Sequence, residues 1–453
     1  MADRCRRVDG PVLYVWVPEC IRCIPRYHLR LAVVQHFHAQ RHRPDYYTRT
    51  FLSHVSPSNI SWIGSVQLFL MYAPAVLVGS AFDSGFFHHV QITGSILLVV
   101  SIFMLSLVQQ DQYYQVFLAQ ALGIGLGVGL LFLPSLSIVA QHFRRRRPLA
   151  TGVVVSGASC GGIVFPILLN HLFANPKTSF ANGVRVSGGL IAGLLLVANC
   201  IMRTRLPPKT RRAVSIRDGM LHIAGDGAYV WSIAGAFCTN LGLFVPFFYL
   251  QLFAADHHVA PEVTTYILAI LNAGSTVGRI LPMALANKLS VYNMLLCAIL
   301  ASAVLLFSLF GATSTGGVIS VAALFGFSSG AYVSLIPPLL GALCTDLSEL
   351  GLRMGLAFSL VGTSMLVGTP IFGALLDTGR TLVWWRAIVF AGVRILGRRC
   401  PCPRGARPEP CAVSLSVVFY AADVGYLTSP ASRSASWPAS LAWRSRGCSI
   451  CDD

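Results

Sequence analysis

The chain has 453 residues, of which 55% are hydrophobic and only 11% are charged. Soluble proteins average about 25% charged residues, so this composition excludes a protein whose whole surface faces water. The formal net charge is +17, and a large share of the basic residues lies in the loops between apolar segments. We therefore predict a membrane protein whose partner is the lipid bilayer, and no binding to nucleic acid.

The apolar residues fall in blocks of about 20, the length that a helix needs to cross about 30 Å of hydrocarbon. Every backbone N–H and C=O group must be paired inside that layer, so each block is predicted to be a helix. The ten predicted spans, in chain order, are Ile60–Ala81, Ile92–Val108, Tyr114–Ala140, Ala150–Leu172, Ser187–Met202, Ala228–Phe253, Thr264–Leu285, Val291–Phe310, Gly317–Leu340 and Met354–Leu376. The fold class predicted from them is an all-α membrane protein.

The longest polar stretch between spans, Arg203–Asp226, divides the ten spans into five and five. This division predicts an N-terminal helical bundle over 46–202, a central loop over 203–226 and a C-terminal bundle over 227–393. Neither terminal segment contains a complete span. Segment 1–45 is basic and interrupted by prolines, whereas segment 394–453 is rich in Arg, Pro, Ser and Cys and is predicted to be disordered.

Basic residues accumulate in the loops on one side of the predicted spans. Four consecutive arginines occupy 144–147, and six Lys or Arg residues lie within 203–217. Lys288 and Arg353 follow on the same side, whereas the opposite loops between these spans carry only Lys177 and Arg185. Because Lys and Arg near span ends accumulate in the cytoplasm, we predict that the central loop is cytoplasmic.

Metal, cofactor and nucleotide motifs are weak in this sequence. The pairs Cys20-x-x-Cys23 and Cys448-x-x-Cys451 have metal-ligand spacing, but one such pair does not define a site. We predict no metal and no cofactor. The sequence contains neither an H-E-x-x-H motif nor a G-x-x-x-x-G-K-[ST] loop, so we predict neither an enzyme nor a nucleotide-driven pump.

Several strings point to one family. The string HFRRRRPLATGVVVSGASCGG at 142–162 combines an aromatic pair, basic residues and a Leu-Ala-x-Gly entry into a Gly-rich helix. It resembles the signature of the monocarboxylate-porter family of the major facilitator superfamily, particularly its fungal members. The matching positions are Phe143, Arg145, Arg146, Leu149, Ala150, Gly152 and Gly157. Small residues in such a helix allow close packing against a neighbour.

A second motif and the ends of the chain bear on the same resemblance. Gly79, Asp83 and Gly85 are similar to a reduced form of the superfamily's loop motif between helices two and three. The resemblance covers roughly Tyr46 to Val393 and implies two bundles with twelve spans, of which our ten are helices two to eleven. At Asp9-Gly10 and at WWRAIVFAGV the family pattern starts and then breaks off. We therefore expect aberrant ends, produced by a shifted reading frame or a mis-spliced gene model.

The span Thr264–Leu285 carries an ionisable residue. Asn272, Ser275, Thr276 and Arg279 occur at i, i+3, i+4 and i+7, which places them on one helical face. A charge at the bilayer centre costs at least about 2.5–3.5 kcal/mol, so this face is predicted to meet protein or a watery cavity. The resemblance implies that Arg279 matches a family arginine implicated in anion translocation. An arginine that reaches the cytoplasmic interface near Lys288, or one paired structurally, remains an alternative.

The remaining candidate site residues are Asn240 and Tyr332, polar groups inside predicted spans. We predict a secondary active transporter of small organic anions such as monocarboxylates, in the plasma membrane. The alternatives are an exporter of a fungal secondary metabolite, a non-transporting truncated or mis-spliced carrier, and a membrane sensor. Ser275 stands where animal carriers of this family have an aspartate associated with proton coupling, so coupling, direction, substrate identity and oligomeric state stay open.

Overall fold

A computed structural model describes residues 57–143, 147–174, 180–202, 223, 225–286, 288–312, 314–343, 350–376 and 383–396. Over these residues the chain is helical and contains no β-strand. The terminal segments predicted to be aberrant, the arginine run at 144–146 and most of the central loop lie outside the described residues. The predictions for these segments, and the boundaries of the two bundles that depend on them, therefore stay predictions.

Seven α-helices form the first half of the described chain. They are α1 (Pro57–Tyr72), α2 (Ala75–Asp83), α3 (Phe87–Leu105), α4 (Tyr113–Val116), α5 (Gly125–His142), α6 (Arg147–Ala174) and α7 (Phe180–Ile201). A π-helical stretch, Phe117–Ile124, joins α4 to α5 without a break. Pro74 separates α1 from α2, because proline lacks the N–H that would continue the helical hydrogen-bond ladder.

Seven more α-helices form the second half. They are α8 (Gly227–Leu243), α9 (Val245–Asp256), α10 (Pro261–Leu285), α11 (Val291–Ser308), α12 (Thr315–Ala342), α13 (Leu350–Leu376) and α14 (Trp384–Leu396). Pro246 near the start of α9 marks a break within one span, as Pro74 does in the first half. With 13 residues, α14 is too short to cross a bilayer.

The described residues contain ten helices or helix pairs that are long and apolar enough to cross a membrane. This number confirms the ten spans predicted from hydropathy. Most boundaries agree within a few residues, but the fifth span was predicted to begin at Ser187 and instead begins at Phe180. The difference arises because Asn182 and Arg185 lower the local hydropathy without ending the helix; Arg185 lies at the exposed end of α7 and donates to Ser106.

Two helix pairs hold the halves together. The helices α1 and α2 pack along α13, and α6 packs along α10. A buried hydrogen bond of 2.6 Å joins the hydroxyl groups of Ser65 in α1 and Thr369 in α13. Glycines allow the close approach, because a Cβ at Gly79 would lie 2.5 Å from the carbonyl oxygen of Gly351.

Arg353, at the start of α13, was predicted to be one of the basic residues that mark the cytoplasmic side. The side of the membrane stays a prediction, and the structure adds that the side chain is only 3% exposed. Its Nη1 donates to Asp226 Oδ2 at 2.8 Å, and Tyr229 stacks against the guanidinium at 5.4 Å. Asp226 also caps α8 by accepting from the backbone N–H of Tyr229. The charge therefore stabilises the junction of α8 and α13.

Candidate functional site

Arg279 lies inside the protein at the contact between the two halves. It is 3% exposed, and its Nη1 donates to the backbone carbonyl oxygen of Val155 in α6 at 2.8 Å. Its Nε is buried without a hydrogen-bond partner, and no carboxylate of the described residues lies within ion-pair distance of it. In the structure protein therefore surrounds the Arg279 side chain.

A cavity of about 50 Å³ adjoins Arg279. Side chains from both halves line it, and of its sixteen lining residues only Tyr72, Asn240 and Arg279 carry polar side chains. One water needs at least about 10–15 Å³, so this space holds a few waters but not a drug-sized molecule. In this conformation the site is closed around the arginine.

Three aromatic rings form one wall of this cavity, which we call the aromatic wall: Tyr72, Phe132 and Phe358. Tyr72 meets Phe132 edge to face at 5.1 Å and stacks on Phe358 at 5.7 Å, while Phe132 and Phe358 meet at 5.5 Å. Such geometries are the favourable ones for aromatic pairs. The wall joins α1, α5 and α13 and presents an apolar surface opposite the guanidinium-bearing helix.

Asn240 and Tyr332 were both predicted to line the translocation path. The Nδ2 of Asn240 donates to the hydroxyl of Tyr332 at 2.9 Å, so the structure brings these two side chains together. Asn240 lines the Arg279 cavity, whereas Tyr332, 1% exposed, lines a neighbouring cavity inside the second half. The hydrogen bond between Asn240 and Tyr332 therefore lies at the boundary between two neighbouring cavities.

Of the other three predicted residues, Asn272 and Ser275 lie in the packed contact between α6 and α10, and Thr276 lies beside them on α10. Asn272 packs against Gly162, where an added Cβ would lie 2.6 Å from its Oδ1. Ser275 is fully buried and accepts a hydrogen bond from Ser159 at 3.1 Å. Thr276 donates to the carbonyl oxygen of Asn272 within its own helix. They share the face of Arg279 as the spacing predicted, but they line none of the three cavities described here.

The predicted motif residues lie in α6 and in the turn after α2, and some of them are outside the described set. Gly152 and Gly157 are buried in α6, and a Cβ at Gly152 would lie 2.6 Å from the carbonyl oxygen of Arg279 itself. Gly85 has a φ of 89° in the turn after α2, a conformation that favours glycine. Asp83 ends α2, but its side chain is outside the described set, as are the motif arginines Arg145 and Arg146.

A larger cavity, of about 210 Å³, lies next to the Arg279 cavity and shares Leu136 and Pro337 with it. Its lining includes Pro148 and Thr151 at the start of α6, and Met354 near the start of α13. These ends lie beside the arginine run that predicted the cytoplasmic side. We call this space the vestibule, because only a shared side-chain wall separates it from the arginine.

Sequence reasoning did not identify the aromatic wall. A tyrosine inside an apolar span was the available signal for Tyr72, but Phe132 and Phe358 look like ordinary core residues. Two G-x-S-x-G strings, at 157–161 and 326–330, also escaped notice. Both lie inside helices, whereas the serine of a nucleophile elbow needs a strand-to-helix turn. Over the described ranges, no group of three His, Cys, Asp or Glu residues could hold a metal ion.

Over the described residues, ten candidate spans in two halves, with a cavity between the halves that borders a buried arginine, define a multi-pass helical membrane protein. A family model described as Major Facilitator Superfamily matches residues 31–340. The chain belongs to the Major Facilitator Superfamily of transporters.

Named relatives come from fungi. The aspyridones efflux protein apdF of Emericella nidulans is 34% identical over 333 residues, which cover 74% of this chain and 66% of that protein. The agnestins efflux protein of Paecilomyces divaricatus is 34% identical over 331 residues, covering 73% and 75%. The chain thus spans about two thirds of the first relative and three quarters of the second.

The solved structure of the E. coli fucose:proton symporter FucP has the same fold. It superposes with a TM-score of 0.65 at 15% identity and covers 90% of this chain and 98% of its own. At this identity the likeness concerns the fold alone.

Proposed function

We propose that this chain is a secondary transporter that exports an acidic secondary metabolite, an organic monoanion with an apolar body. The observation that carries the proposal is Arg279, a buried guanidinium beside a cavity between the two halves. The rest of that cavity is apolar and aromatic, apart from Tyr72 and Asn240. One positive charge within an apolar lining is complementary to a molecule with one negative group and a larger apolar surface.

The energetics of Arg279 favour an anionic partner. A charge at membrane depth costs several kcal/mol unless it is compensated, and the carbonyl of Val155 satisfies only one of the five N–H donors of the guanidinium. A carboxylate accepts two parallel hydrogen bonds from this planar group and also neutralises its charge. Pairing with a substrate carboxylate is therefore the compensation that the chemistry of the site favours.

The relatives support the direction and the substrate class. Two of them are named efflux proteins for aspyridones and agnestins, which agrees with the alternative of a secondary-metabolite exporter. The monocarboxylate-porter resemblance supports the same chemistry, because both readings place an organic anion at Arg279. Export of a metabolite places the protein in the plasma membrane in this proposal.

Alternating access in this fold is a rocking of one bundle against the other around a central site. In the proposal, the seams α1/α2–α13 and α6–α10 are the surfaces that move, since they join the halves on either side of Arg279. The vestibule then serves as the path from the cytoplasm to the arginine. No proton carrier is assigned, because the cavity lining includes no carboxylate.

The test is transport of labelled organic anions by purified protein in liposomes, for Arg279→Gln and Arg279→Lys against the unmodified chain. Hydrogen bonds to charged groups contribute about 1.5–3 kcal/mol, so Arg279→Gln is expected to lower kcat/KM for anions at least about tenfold. Lysine keeps the charge without the planar fork, and partial activity is expected.

Arg386→Gln is the matched control, because the same change then falls on an exposed arginine of α14 that lines none of the three cavities. It is expected to leave anion transport unchanged. The proposal would be refuted if the unmodified chain and the three variants all transported a neutral substrate equally well and none of them transported the anions. Anion binding without any transport would favour the sensor alternative.

A further inference from the structure

A second cavity, of about 70 Å³, lies inside the second half of the protein between α8, α11, α12 and α13. We call it the side pocket. Its lining is mostly aliphatic and aromatic, and Leu295, Ile299 and Leu339 in it are at most 7% exposed. All of its lining residues belong to the second half, so it does not lie on the cleft between the halves where the predicted site is centred.

The side pocket is contiguous with the Arg279 cavity. Ile336, Phe358 and Val361 line both spaces, so only side chains separate them. Phe358 belongs to the aromatic wall, and rotation about its two side-chain torsions is enough to change the barrier. The hydrogen bond between Asn240 and Tyr332 crosses the same boundary, with its donor in one cavity and its acceptor in the other.

We propose that the side pocket binds the apolar body of the same anion whose acidic group binds Arg279. This inference rests on the proposed function and adds the substrate class, an amphipathic monoanion with a ring system rather than a two- to four-carbon acid. The argument is one of space. The space of about 50 Å³ beside Arg279 suits an acidic group, and the adjoining side pocket of about 70 Å³ has the apolar lining that suits a ring. Both spaces must widen when a whole molecule binds, because ligand pockets measure about 300–1,000 Å³.

Displacement of Phe358 joins the two spaces and gives such a molecule a charged end and an apolar end. The apolar lining then makes close contacts with the ring that it lacks while the pocket is empty, and filling a cavity in a packed interior is favourable. The occupant to which we commit is the substrate. A lipid chain in the same pocket is the competing outcome of the test.

Gly235 provides a variant that fills the side pocket. It lines the pocket, and a Cβ at this position would meet no atom within 4 Å. Gly235→Leu is therefore expected to fold and to occupy the space. Gly193→Leu is the matched control, because Gly193 lies on the exposed face of α7 and is equally free of neighbours within 4 Å.

The probes are methanesulfonate, which is little more than an acidic head, and 2-naphthalenesulfonate, which adds an apolar ring system. Both stay ionised and can be titrated into the purified full chain by calorimetry. We expect the unmodified chain and Gly193→Leu to bind the naphthalene compound at least tenfold more tightly than methanesulfonate. In Gly235→Leu this preference is expected to disappear while the affinity for methanesulfonate is retained.

The outcomes separate the two proposals. Arg279→Gln is expected to weaken both probes, and unchanged binding of both would overturn the proposed function. If the unmodified chain shows no preference for the naphthalene compound, the inference about the side pocket is wrong, while the proposed function stands. The same holds if the preference persists in Gly235→Leu, which is the result expected when a lipid chain fills the pocket. Leu295→Ala enlarges the side pocket, so this variant is expected to bind 1-pyrenesulfonate at least tenfold more tightly than the unmodified chain does. An unchanged affinity for 1-pyrenesulfonate would also overturn the inference.

Discussion

Gly152 is the position where a single methyl group would most directly disturb the seam at the site. It lies in α6, and in Gly152→Ala the new Cβ would sit 2.6 Å from the carbonyl oxygen of Arg279 in α10. Real Cβ atoms essentially never approach closer than 3.0 Å, so the two helices must separate by about half an ångström. The obstructing atom belongs to the backbone and cannot rotate away.

The expected magnitude follows from two opposing terms. Overpacking a close contact costs about 1–3 kcal/mol. Replacing glycine by alanine inside a helix gains about 0.8–1.0 kcal/mol of helix propensity. The net expectation for Gly152→Ala is a loss of about 0–2 kcal/mol relative to the unmodified chain, and of about 1–3 kcal/mol relative to an alanine variant that gains the same helix propensity without the close contact. The other two atoms near this Cβ belong to Met283: its Cγ at 2.5 Å can move by rotation, whereas its Cβ at 2.7 Å is fixed to the backbone of α10.

The assay is the melting temperature of the detergent-solubilised chain, measured as the temperature at which half of the protein is no longer monodisperse after heating. Gly193→Ala is the control, because it makes the same change on an exposed helix face with no neighbour within 4 Å. At about 2–4 °C per kcal/mol, Gly152→Ala should melt several degrees below the control, and the control should match or exceed the unmodified chain. Equal melting temperatures for the two alanine variants would refute the close-packing argument.

Two further predictions concern the ends of helices. Asp226→Asn should lower the melting temperature more than Arg353→Met, because the first removes the carboxylate that is paired with a buried guanidinium, whereas the carboxylate left by the second is 30% exposed and can be hydrated; the reverse order would contradict the burial of Arg353. Gly85→Ala should destabilise by about 1–2 kcal/mol, since its φ of 89° is strained for alanine. Melting temperatures measure this change too, and an unchanged value would mean that the turn relaxes.

The spans were predictable because the bilayer imposes a length and a composition that hydropathy reports directly. Breaks in the helix inside a span were not predictable from hydropathy. Pro74 and Pro246 break their spans into two helices each, and the stretch Phe117–Ile124 is π-helical, yet hydropathy is continuous across all three. These features depend on backbone hydrogen bonding rather than on apolar content.

Of the residues that line the Arg279 cavity, two were candidates from the sequence, Arg279 and Asn240. Arg279 was identified because a buried charge is costly wherever it occurs. The spacing of Arg279 with Asn272, Ser275 and Thr276 predicted that the four residues share one face of a helix, and they lie on one face of α10. It could not show that this face packs tightly against α6, with the cavity reached only at the arginine. The aromatic wall and the side pocket arise from residues on separate helices, which one sequence cannot place in contact.

Arg279 and Gly152 occupy the same seam but engage it through different atoms, and this separates a binding role from a structural one. Gly152 contacts the backbone oxygen of Arg279, whereas the guanidinium donates to Val155 and borders the cavity. Arg279→Gln leaves the backbone contact intact, so it should lose anion transport with little change in melting temperature. Gly152→Ala keeps the guanidinium and should lose stability. If Arg279→Gln instead loses as much stability as Gly152→Ala, the arginine is chiefly a link between α6 and α10, and the anion site lies elsewhere.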